Sequence, residues 1–202
     1  MVEPDVDTID LPEVVERIVN LTTGLRDFWL SCEGWAPIGA AALLGRSRLD
    51  WQAQLARSLR RWLPTDEELS DGDLILAWCN LGALVEGALK LFLSVFHEDY
   101  ADDVEAIRRA QALVGPDALT LEALRQFFAR RIWEKGEDWD EWILKIQQRR
   151  TAIHAFRDKD IGSFDEFYVD VRRLLRLLRR VNGQLPYPDD RPEPTEWPLA
   201  WR

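Results

Sequence analysis

The 202 residues of the chain are enough for one good core, and apolar residues at 47% with charged residues at 31% exclude a disordered polymer. A formal net charge of −10 argues against indiscriminate attraction to polyphosphate, which depends on cations replacing condensed counterions. The charge is unevenly spread. Glu3, Asp5, Asp7, Asp10, Glu13 and Glu16 stand unopposed before residue 17, whereas ten Lys/Arg face five Asp/Glu between Lys145 and Arg180. An anionic ligand is therefore expected to meet the C-terminal third.

In chain order, the first helix is expected to start at Asp10, which can cap exposed amides, with Pro12 in the first turn, and to end near Ser31. Gly34 and Pro37 break the pattern. Pro37–Leu44 reads as a short helix, and Ser47 can cap another that runs to Leu63, where Pro64 stops it. Asp71 opens a long apolar helix through Leu74–Phe96. Its length would suit a membrane span, but Asn80, Glu86 and Lys90 would be costly there, so it reads as the central helix of a bundle with a Glu86–Lys90 pair at one edge. A shorter helix is expected over Asp102–Leu113, followed by helices at about Leu119–Trp133 and Asp138–Phe156. Ser163 and Glu166 have the spacing of a capping box for the last one, and Gly183 is placed to close it as a left-handed residue.

Val171, Leu174, Leu175, Leu178 and Val181 form the inner face of that last helix. Arg172, Arg173, Arg176, Arg179 and Arg180 form an outer row of the kind that is ordinarily solvated. No strand-like alternation or internal repeat is evident. Five prolines after residue 184 exclude a further helix, so residues 1–183 read as one helical domain and 184–202 as an extended tail, docked on the domain or on a partner through Trp197 and Trp201. Most of the ten tryptophans, including Trp51, Trp62, Trp78, Trp139 and Trp142, fall on helical apolar stripes as core anchors. Cys32 and Cys79 read as reduced core thiols, and the acidic N-terminus offers no export signal, which points to a cytoplasmic protein without membrane contact.

Chemistry concentrates in Asp138–Phe156. Its apolar stripe runs through Trp139, Trp142, Ile143, Ile146 and Ile153, and at 100° per residue Arg150 projects into the middle while Arg149 and His154 fall on the margins. Three donors on a face that ought to be buried require acids or a phosphate to satisfy them. A two-fold dimer through this helix would resolve the conflict, with Ile146 and Ile153 at its centre and the cations at its rim. His97 reads as an ordinary helix-end histidine. Asp102 and Asp103 lack the partners that magnesium would need, two histidines are too few for a multi-histidine zinc centre, and glycine-rich phosphate loops and serine elbows are absent, so no metal or cofactor is expected.

The run Gln147-Gln148-Arg149-Arg150-Thr151-Ala152-Ile153-His154-Ala155-Phe156 resembles the signature helix of HEPN domains, an arginine four to six residues before a histidine. Its place on the penultimate long helix, the basic helix after it and the flank Arg157-Asp158-Lys159-Asp160-Ile161-Gly162 add to the likeness. The resemblance implies an all-α, up-and-down bundle of about six to seven helices carrying the Pro/Trp-rich tail. It also implies a homodimer that cuts RNA without metal, as a toxin or phage-defence effector with an antitoxin or other protein partner. On that basis His154 is the acid–base group, Arg149 the phosphate clamp, and Arg150 and Arg157 contact RNA. Arg150 stands where active members often carry Asn, Asp or His, and Phe156 where nucleotidyltransferase-controlled members carry tyrosine. The alternative is a non-catalytic HEPN-like interaction or scaffold module using the same surface.

Overall fold

The computed structural model of the protein describes residues 5–66, 68–156 and 158–198. Among them are eight α-helices and one two-stranded hairpin: α1 Leu11–Trp29, α2 Ile38–Gly45, α3 Leu49–Ser58, α4 Asp71–Val95, α5 His97–Asp102, β1 Arg108–Arg109, β2 Ala112–Leu113, α6 Leu121–Arg131, α7 Trp139–Arg150 and α8 Phe164–Gln184. The chain is mostly helical, with eight α-helices among the described residues where the resemblance implies about six to seven.

Local chemistry starts the long helices. The Asp10 carboxylate accepts the Glu13 amide at 3.1 Å to open α1. α8 opens on a complete capping box, in which Ser163 Oγ accepts the Glu166 amide and the Glu166 carboxylate accepts the Ser163 amide. A second capping box, Ser70 with Asp73, opens α4, so Asp71 is that helix's first residue and not its cap. α4 is apolar on nearly every side and forms the axis of the fold, packing against α2, α3, α7 and α8. Trp78, Leu81, Val85 and Leu89 along it are buried with Trp29, Phe128 and Phe167 in one continuous core. The Glu86–Lys90 pair forms at its edge, at 2.9 Å.

Five expectations are corrected. The helix over Asp102–Leu113 gives way to a loop and the β1–β2 hairpin, turned at Ala110 and Gln111, both of positive φ. Tyr100 explains the change: its hydroxyl accepts the Ile107 amide at 3.1 Å and donates to the Val114 carbonyl at 3.0 Å, satisfying backbone groups on both sides of the hairpin. Ser47 does not cap α3, because its Oγ is spent on the Leu44 carbonyl at the end of α2. Trp51 is 55% exposed with the Arg48 guanidinium over its ring, outside the core. Gly183 lies inside α8, and the chain leaves the helix through an extended Leu185. Finally α7 stops at Arg150, where a 3-10 turn, Thr151–His154, leads to Ala155 in the left-handed region at φ 51°.

Beyond α8, residues 185–198 form an extended strap that runs back along α1. Tyr187 sets its ring edge-on to Phe28, and its hydroxyl donates to the Asn182 side chain at 2.7 Å. Pro194 and Glu196 are buried, and Trp197 lies beside the guanidinium of Arg17. Trp201 is outside the described residues.

Candidate functional site at the turn between α7 and α8

Arg149, in the last turn of α7, is only 6% exposed. Its guanidinium donates to Glu166 at 2.8 Å and lies 4.8 Å from the centre of the Trp78 ring. The other Glu166 oxygen holds the Ser163 amide, so one carboxylate closes the capping box of α8 and fastens the end of α7 to it. The bond from Arg149 holds the Glu166 carboxyl below the usual glutamate range. Gly162 makes this closeness feasible: its φ is +62°, and a Cβ there would overlap both the Glu166 carboxylate and the Arg149 guanidinium. The neighbouring Ile161 carbonyl accepts the Trp78 indole N–H at 2.8 Å. One atom, Arg149 Nη1, is buried without a hydrogen-bond partner.

Arg150 leaves the helix in another direction, toward α4, and donates to Glu86 at 2.8 Å. Burial alone would raise the Glu86 carboxyl, but donors from Lys90 and Arg150 outweigh it and hold the group below its ordinary value. The third residue of the motif, His154, is exposed on the 3-10 turn, and its side chain makes no hydrogen bond or ion pair with another described residue. Ile153, expected on the buried stripe, is 49% exposed, and Phe156 just beyond is 98% exposed. A shallow hollow beside Phe156, of about 390 Å³, is floored by Ile75, Ala152 and Ile161. Arg157, expected to contact RNA, lies outside the described residues.

The structure thus separates three side chains that helical geometry places on one face. Arg149 serves α8, Arg150 serves α4, and His154 faces water.

The basic row of α8 is not solvated either. Arg172 donates to the carbonyls of Val6 and Ile9, Arg176 pairs with Asp7 at 2.6 Å, Arg173 with Asp138 and Arg180 with Glu137. Arg179 is bound by Glu196 of the strap. Much of the C-terminal surplus of positive charge is therefore met by acids and carbonyls of the same chain, including the acidic N-terminal segment. The sequence shows Glu166 as a cap and Glu86 as a partner of Lys90, but not that each also holds an arginine of α7. Placing Glu166 one turn into α8 and aimed back across a short connection was the available signal. Among the described residues, no group of three or more His, Cys, Asp or Glu side chains could hold a metal ion. No family model, no curated protein and no solved structure matches the chain.

Proposed function

We propose that this chain is a helical interaction module, built on a bundle of the HEPN type, that pairs two-fold through the turn between α7 and α8. The observation that carries this reading is the contrast within the turn: the two arginines are engaged by Glu166 and Glu86, while Ile153 and Phe156 stand in water. Large apolar side chains exposed together mark contact surfaces more often than solvent-facing ones. The same segment carries both signs of charge, Lys159 beside Asp158 and Asp160, with Asp71 across the hollow. A self-complementary patch needs that mixture, since each copy's cations meet the other's acids across the two-fold axis. The hollow beside Phe156 offers a seat for an aromatic side chain of a second copy. Light scattering during size exclusion at tens of micromolar is expected to give a dimer for the wild type and a monomer for Phe156→Asp; a monomeric wild type would overturn the reading.

A second reading, metal-independent cleavage of RNA, is favoured by one observation. His154, the acid–base group of the turn, faces solvent at the edge of the same surface. In that case Arg149 must either give up Glu166 when phosphate binds or act only by holding the turn in place. Incubating the protein with total RNA and a chelator, beside His154→Ala, separates the two. Cleavage that disappears in the variant establishes the nuclease, and RNA left intact by both leaves the interaction module.

A further inference from the structure

The groove between α1 and α8 already holds a peptide, the chain's own residues 194–197. Glu196 is 5% exposed, and Arg179 grips it through two parallel bonds, Nε to one oxygen at 2.7 Å and Nη2 to the other at 2.8 Å. Arg17 adds a third at 2.8 Å, and its guanidinium lies 4.1 Å from the centre of the Trp197 ring. Two side-chain amides read the backbone: Asn20 donates to the Glu196 carbonyl at 3.1 Å and Asn182 to the Pro194 carbonyl at 3.2 Å. Pro194 lies against Gly24, where an added Cβ would come within 3.1 Å of the proline ring.

Every receptor group belongs to α1 or α8, and the two helices pack on each other without the strap. Arg17 is also held in place by Glu13, at 2.8 Å. What the groove recognises is a carboxylate, two carbonyls, a proline ring and an indole, none of which requires a covalent connection to α8. The strap is fixed at Tyr187, with Arg191 over the Trp35 ring nearby, and again at Pro194, and from Asp189 to Glu193 every side chain is exposed. Residues 194–197 can therefore leave while the base of the strap stays. An open cleft of about 550 Å³ adjoins them, between Phe28 and Trp197.

We infer that the α1–α8 groove is a recognition site for polypeptide segments of the pattern Pro-x-Glu-Trp, and that residues 194–197 are a tethered ligand which a segment of the same chemistry on another protein displaces. A short tether gives the strap a local concentration on the order of millimolar, so the groove is mostly closed until a competitor arrives or the tethered ligand is weakened. This site is separate from the turn surface and does not depend on how that surface is used.

The test is fluorescence anisotropy with a labelled peptide of residues 191–198, titrated with the full chain and with its Glu196→Gln variant. The variant is expected to bind the peptide at least tenfold more tightly than the wild type. A peptide with glutamine in place of its glutamate should bind the variant at least tenfold more weakly, and adding Arg179→Ala should abolish binding. If Glu196→Gln does not fold, Trp197→Ala takes its place, since it weakens the tethered ligand and keeps the buried ion pairs. Absence of binding to either folded variant, or equal binding of the glutamine peptide, would overturn the inference. So would a dimer that survives Phe156→Asp, is lost in Glu196→Gln and takes up no peptide, because the groove would then serve exchange of straps between copies.

Discussion

The turn between α7 and α8 and the strap after α8 are both short of regular secondary structure, and both carry aromatic and charged residues. One docks and the other does not. Leu185 and Pro194 of the strap are buried and Tyr187 half-buried, whereas Phe156 of the turn is almost wholly in water. Apolar character does not separate them, since phenylalanine is the more hydrophobic ring. The difference lies in the buried cations of the scaffold. Arg17, already bonded to Glu13, and Arg179 line a groove into which Glu196 of the strap brings a buried carboxylate that both guanidiniums hold. At the turn, Arg149 and Arg150 are completed from within by Glu166 and Glu86, and nothing on the scaffold draws Ile153 or Phe156 inward. An extended segment settles where it satisfies a desolvated ion, and its apolar residues follow.

The comparison breaks most visibly at Glu196. Glu196→Ala takes away the buried carboxylate that Arg17 and Arg179 share, a loss of about 3 kcal/mol, at the low end for a half-removed buried pair because Arg17 keeps Glu13. For a chain of this size that lowers the melting temperature by on the order of 10 °C in thermal denaturation. Removing residues 185–202 should lower it as well, and an unchanged melt would mean that the strap contributes no stability.

Arg149→Ala comes next. The sequence-based expectation confines its effect to anion handling, but burial against Trp78 and the bond to Glu166 add a stability loss of about 2 kcal/mol, smaller than at Glu196 because Glu166 is half-exposed and can be rehydrated. Calorimetry that finds Arg149→Ala as stable as the wild type would show that the clamp at α8 contributes nothing.

Acid provides a milder probe of the turn. Glu166 and Glu86 both have folded values below the unfolded glutamate value of about 4.3. Their contribution is therefore fully present above that pH and is lost as pH falls through the folded values. Melting temperature should be level from pH 8 to 5 and fall below about pH 4.3, with a shallower fall in Glu86→Gln.

The smallest effect on stability belongs to Phe156→Asp and Ile153→Asp, within about 0.5 kcal/mol, since neither side chain is buried in one copy. Either substitution should nonetheless split the dimer in light scattering, so that the turn matters for assembly and the strap for folding.

What could be read in advance followed the range of each interaction. The starts of α1 and α8 were legible because Asp10, Ser163 and Glu166 act within three residues of themselves. The end of α7 was not, since Thr151, Ala152 and Ile153 continue a helical pattern, and the stop coincides with Arg149 and Arg150 bonding to different neighbours. The position of the candidate site on the penultimate long helix was likewise visible, but not the destinations of its side chains. The row of α8 was misread as solvated because its partners lie far away in sequence: Arg172 and Arg176 reach residues 6–9, and Arg179 reaches the strap.

Those distant contacts also govern when the molecule can assemble. α1 is made before the other helices, yet one of its covering helices is α8, and the buried cation Arg17, paired locally with Glu13, gains its second carboxylate from 179 residues later. A nascent chain thus exposes one side of α1 until α8 has been made, and the bundle cannot close vectorially from α1 onward. Contacts of such sequence separation slow folding and leave apolar surface open to chaperones or to aggregation in the interval.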